Sequence, residues 1–147
     1  MKKFLINVMA LIAAGAINAK EAVPSNCQET VFSEEESGYI SGYNCFYADQ
    51  TILDAYRTVR QDLLARYPND DDYQKLRYQK LLENLEVGKN RKDESGIDEF
   101  GRFLEIEYIW DKKGSLTVTI TYEGGDTTLL FSRQKAGTRA DIEFYIQ

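Results

Sequence analysis

Glu105 and Glu107 stand two residues apart in a stretch where apolar and polar residues alternate, and two carboxylates on one side of a strand can act as a general acid and a general base. Residues i and i+2 of a strand lie about 6.6 Å apart along it, close to the roughly 6.5–9.5 Å between the carboxyl groups of an inverting glycoside hydrolase. The same spacing arises on any solvated strand with alternating acids. A carboxylate-dependent glycoside hydrolase using Glu105 and Glu107 is therefore one alternative for this chain, and a negatively charged surface that docks a basic protein partner is another.

The chain has no histidine, the side chain used most often as a base near neutral pH and as a metal ligand. Hydrolysis of the usual serine, cysteine or metal kinds is thereby disfavoured, and no catalytic residue, metal or cofactor is expected. Its two cysteines, Cys27 and Cys45, are too widely spaced for a Cys-x-x-Cys redox pair and too few for a zinc site. They are expected to form a structural disulfide in an oxidising compartment, contributing about 3 kcal/mol for a loop of this order.

Ser132 to Lys135 spells S-x-x-K, but the serine falls near the end of an expected strand instead of opening a helix. Asp93, Ser95, Gly96 and Asp98 hint at a calcium loop. With Gly96 as the loop glycine, Arg91 and Arg102 would occupy the first and last ligand positions, which rules out an EF-hand. Asp70, Asp71 and Asp72 follow Pro68 and suit the positive end of a helix better than a metal. Tyr39, Tyr43 and Tyr47 gather with Phe46 around Cys45, where their amphipathic rings either anchor a partner or fill a small core under the disulfide.

The elements that must position these residues follow from periodicity. Asp49 or Thr51 can cap a helix running to about Tyr67, in which Ile52, Ala55, Tyr56, Val59 and Leu63 recur at three- and four-residue steps. Pro68 stops it, and a second helix is expected from the acidic trio to about Val87, with Tyr73, Leu76, Tyr78, Leu81, Leu82 and Leu85 as its apolar stripe and Gly88 as its cap. Residues 88–101 read as a polar connection, and residues 20–48 as irregular structure or a short hairpin held by the disulfide. Period-two alternation then predicts strands over 102–110, 115–122, 127–133 and 140–146.

The expected fold is α+β: an N-terminal disulfide-stapled segment and a two-helix hairpin packed on a four-stranded antiparallel β-meander. On the sheet face turned away from the helices the alternation places Glu105, Glu107, Glu143 and Tyr145, with Thr117, Thr119, Thr121, Phe103 and Leu130 among them. Partner binding is assigned to Glu105, Glu107, Glu143 and Tyr145, together with Tyr39 and Tyr43 of the tyrosine-rich segment.

Lys2 and Lys3 precede an apolar run from Phe4 to Ala16 and a small residue at Ala19, the pattern of a cleaved signal peptide over 1–19 followed by a single domain over 20–147. The run is shorter than the about 20 residues of a spanning helix, so the mature chain is not expected to span a membrane. Pro24-Ser25-Asn26 before Cys27 is no lipobox. The formal net charge is −6, which disfavours nucleic acid and favours a basic partner.

Cys45 followed by Ala48-Asp49, Ile52 and Tyr56, then Leu76-Arg77 and Gln79, resembles the helical N-terminal region of LprI-type lysozyme inhibitors. The likeness covers under a third of the chain, and a further cysteine after the second helix is missing, so no inhibitory residue carries over. The expected function is an exported, periplasmic or secreted, non-enzymatic binding protein, an inhibitor or immunity protein that neutralises a basic cell-wall-degrading enzyme. A small-ligand carrier with a pocket between helices and sheet is the alternative, and a concave cavity between the layers would favour it.

Overall fold

The alternating runs at the C-terminal end of the chain form four long strands: β4 (Leu104–Trp110), β5 (Leu116–Tyr122), β6 (Gly125–Gln134) and β7 (Gly137–Ile146). In this computed structural model, which describes residues 23–31, 39–93 and 101–147, the odd and even positions separate cleanly. Trp110, Leu116, Phe131 and Ala140 face one another across the strands, and Tyr108, Val118, Leu129 and Ile142 form the next row. All of these side chains are buried. Gly124, with φ of 89°, turns the chain between β5 and β6 where a side chain would be strained.

Upstream lie β1 (Cys27–Val31), β2 (Tyr39–Ala48), the helices α1 (Ile52–Ala65) and α2 (Tyr73–Gln79), and the short β3 (Arg91–Asp93). The strands form one seven-stranded antiparallel sheet in the order β1-β2-β7-β6-β5-β4-β3. β1 and β2 make a hairpin at one edge, the helices carry the chain across one face, and β3 to β7 meander back until β7 pairs with β2.

Thr51 caps α1 by accepting a hydrogen bond from the Asp54 N–H at 3.2 Å. The apolar stripe Ala55, Tyr56, Val59 and Leu63 is buried against the sheet, and a buried Val or Leu contributes roughly 1.5–3 kcal/mol. Tyr56 sets its ring edgewise to Phe131 at 5.9 Å and to Tyr108 at 6.5 Å.

The class is α+β, but the expected two-helix hairpin on a four-stranded meander is not what forms. The second helix ends at Gln79 instead of near Val87. Leu81 and Leu85 are still buried, but on irregular backbone whose polar groups are taken up by side chains. Leu81 C=O accepts from Arg60 Nε at 3.0 Å, Leu82 C=O from the Tyr56 hydroxyl at 2.6 Å, and Leu82 N–H donates to the Tyr108 oxygen at 2.9 Å. Those three bonds replace the helical ladder the sequence would otherwise continue.

The N-terminal segment is likewise not an appendage, because β2 pairs along its whole length with β7. Within the segment expected to be irregular or a short hairpin, Gly42 is a strand residue for a steric reason: a Cβ there would collide with the Ile142 carbonyl oxygen on β7. Part of the expected polar connection, Arg91–Asp93, is an edge strand on β4. The disulfide is formed between Cys27 and Cys45, which sit directly opposite in the β1–β2 register with Cα atoms 4.0 Å apart. Residues 1–19, the expected signal peptide, lie outside the described residues.

Candidate ligand pocket

Both helices end in an Arg-Tyr pair, Arg66-Tyr67 just past α1 and Arg77-Tyr78 in the last turn of α2. Tyr78 turns inward, is 2 % exposed and stacks on Tyr67 at 5.9 Å. Burial pushes its phenol up to about 12, so it stays neutral. The arginines are left at the open end of the sheet, where β2, β5 and β7 contribute Tyr43, Tyr122 and Phe144 from the helix-covered side. The result is a concave cavity of about 470 Å³ between helices and sheet.

Three guanidinium groups lie over tyrosine rings in this cavity. Arg77 sits 3.4 Å from the Tyr122 ring centroid and 5.7 Å from that of Tyr73. Arg102, just before β4, is 4.6 Å from Tyr73, and Arg66 is 4.5 Å from Tyr43. Tyr43 in turn meets Phe144 edge to face at 6.2 Å. Each such contact is worth about 0.5–2 kcal/mol, and a guanidinium over a ring, as at Arg66 and Arg77, can still donate paired hydrogen bonds from its edge.

Among the described residues Arg66 and Arg77 make no ion pair, although Asp54, Asp70, Glu83, Glu86, Glu105 and Asp141 are each paired with a lysine or arginine elsewhere. Arg66 also suits its place at the C-terminal end of α1, where the helix dipole favours a cation. That placement accounts for Arg66 alone. Arg77 and Arg102 come from α2 and the approach to β4, and with Arg66 they set three arginines against the one acidic side chain, Glu123, in the lining of a ring-walled cavity. Such a site can hold a carboxylate or phosphate on the guanidinium edges and an apolar body against the rings.

The residues first assigned to partner binding divide between the two faces. Glu107, Thr119, Thr128 and Glu143 lie in one row on the face without helices, and Glu105, Thr121, Asp126 and Tyr145 in the next. The β4 and β7 acids are three strand spacings apart, about 14 Å. Glu105 pairs with Lys92 at 3.3 Å, and neither Glu105 nor Glu107 lines this cavity. Exposed Ile109 and Leu130 share that face.

Tyr43 is on the opposite, pocket side, and Tyr39 is placed by its backbone opposite Ile146. Arg66, Arg77, Arg102, Tyr73 and Tyr122 were not singled out from the sequence; the doubled Arg-Tyr at the two helix ends was the available signal. Of the acidic trio, Asp72 caps α2 by accepting from Gln74 N–H at 2.8 Å, and Asp70 pairs with Lys75 at 2.6 Å. Among the described residues no group of three or more histidine, cysteine or acidic side chains is placed to hold a metal, and no helix is long and apolar enough to cross a membrane. No protein-family model, curated protein sequence or solved structure matches the chain.

Proposed function

We propose that this chain is an exported, non-enzymatic binding protein whose pocket between helices and sheet holds a small organic anion. The observation that carries this is the convergence of Arg66, Arg77 and Arg102 on the tyrosine rings of one cavity in a chain of net charge −6. Guanidinium edges donate paired hydrogen bonds to a carboxylate or phosphate, and the ligand's body would cover the rings. The cavity volume of about 470 Å³ falls within the roughly 300–1,000 Å³ of small-molecule sites. The disulfide and the signal-like residues 1–19 support a place outside the reducing cytoplasm.

Calorimetric titration with phosphate, sulfate, sugar phosphates and aromatic carboxylates tests this, with Arg77→Gln beside the parent protein. A saturable anion whose affinity falls at least about tenfold in the variant is expected, since about 1.4 kcal/mol is one charge-assisted hydrogen bond or less. No binding by any anion, or equal binding by the variant, overturns it.

A second reading keeps the face without helices as a docking surface for a basic protein such as a cell-wall-degrading enzyme. It is favoured by the shared row of Glu107 and Glu143 beside exposed Ile109 and Leu130. A Glu107→Lys, Glu143→Lys double variant would lose such a partner and leave the pocket anion bound.

A further inference from the structure

A second cavity, of about 660 Å³, lies at the other end of α1, between the start of that helix, the β4–β5 turn and the β6–β7 turn. It is distinct in composition from the arginine pocket. Its apolar lining is Ile52, Leu53, Val87 and Trp110, and Val87 is 73 % exposed, an aliphatic side chain left in water beside the cleft. Its charged lining is Lys113, Arg133 and Lys135 against the single carboxylate of Asp49. Among the described residues none of those three cations makes an ion pair.

Two further features adjoin the cleft. Trp110 is 9 % exposed, and its indole Nε1 is itself buried and has no acceptor, so the residue gives the cleft wall its ring while an unanswered donor lies beneath the surface. Ile52 and Leu53 are the first two residues of α1; their N–H groups precede the helical ladder and stand at the positive end of its dipole. Thr51 answers only the Asp54 N–H. The three cations and the helix start ask for an anion, while Ile52, Val87 and the indole ring ask for hydrocarbon.

We infer that this cleft is a binding site for an amphiphilic anion, an organic acid with a short apolar body. A simple inorganic anion would leave the apolar lining wet, and a neutral hydrocarbon would leave the donors unanswered. The site is separate from the arginine pocket, so either can fail without the other.

Trp110 is the only tryptophan in the chain, which makes its emission a reporter of this cleft and not of the cavity around Arg77. The folded, disulfide-bonded protein is titrated with octanoate, 1-octanol and acetate, and the emission is followed. Octanoate is expected to change it saturably, with 1-octanol and acetate at least about tenfold weaker. An Arg133→Gln, Lys135→Gln double variant, altered only in exposed residues at the end of β6 and in the turn after it, should weaken octanoate by about tenfold with an unchanged unfolding midpoint, and Arg77→Gln should leave the octanoate response intact. A flat emission, an equal response to 1-octanol, a response that survives the double variant, or one lost with Arg77→Gln would overturn the inference.

Discussion

The two ends of α1 face the same electrostatic task from opposite starting points. At its N-terminal end the helix already presents N–H groups and a positive dipole, and Lys113, Arg133 and Lys135 add charge from the β4–β5 turn, the end of β6 and the β6–β7 turn. At its C-terminal end the dipole favours cations of the protein and disfavours an anionic ligand, so the pocket there depends on side chains, with Arg66, Arg77 and Arg102 each stacked on a tyrosine. A site built from the backbone tolerates single substitutions, whereas one built from a few stacked arginines concentrates its chemistry in each of them.

The largest expected effect comes from the disulfide. Cys45 lies two residues from Tyr43 on β2, and replacing Cys27 and Cys45 by alanine should cost about 3 kcal/mol of stability in urea denaturation. Under conditions where the variant remains folded, the arginine pocket should lose affinity through Tyr43, and the cleft at Trp110 should keep it. Equal losses at both sites would break the comparison.

Next in size is Tyr108→Phe, which removes the acceptor of the Leu82 N–H and should cost about 1–3 kcal/mol for a part-buried donor left unpaired. Residues 80–87 lead to Val87, so this change should loosen the Trp110 cleft more than the arginine pocket. Chemical denaturation beside the octanoate titration checks both halves.

Alkaline titration follows. Burial holds Tyr47 and Tyr78 neutral up to about 12, above the unfolded value of about 10. Their contribution is fully present below pH ~10. Above that the unfolded chain releases protons the folded chain keeps, so stability falls as pH rises toward 12, on the order of 1 kcal/mol per unit for each ring. Stability that stays level between pH 10 and 12 would contradict the buried environments assigned to these rings. The smallest effect is expected for Lys135→Gln alone, under about tenfold in octanoate affinity, because Lys113, Arg133 and the helix start remain.

Much of this arrangement was legible in the residues. Period-two alternation placed Leu104 to Trp110, Leu116 to Tyr122 and the two later strands, and with them the common outward face of Glu105, Glu107, Glu143 and Tyr145. The stripe from Ile52 to Leu63 marked α1. The second helix was overextended because Leu81, Leu82 and Leu85 keep a helical spacing. What ends it is tertiary: hydroxyls from Tyr56 and Tyr108 that capture Leu82.

A short hairpin held by the disulfide was one of the two readings of residues 20–48, but the pairing of β2 with β7 escaped notice, and only the approach of β7 explains the glycine at 42. The arginine pocket was half visible, through Tyr43. Arg77 meets Tyr122 across a helix-to-sheet contact that no local spacing encodes.

The central claim is that the stacked guanidinium groups receive an anion, and the most direct measurement is nuclear magnetic resonance of the arginine Nε–H groups during titration with the anion panel. The account predicts saturable shifts of the Arg66 and Arg77 resonances with at least one organic anion, abolished for that ligand by Arg77→Gln. Resonances that stay in place with every anion, or that move identically with sodium chloride, would contradict it.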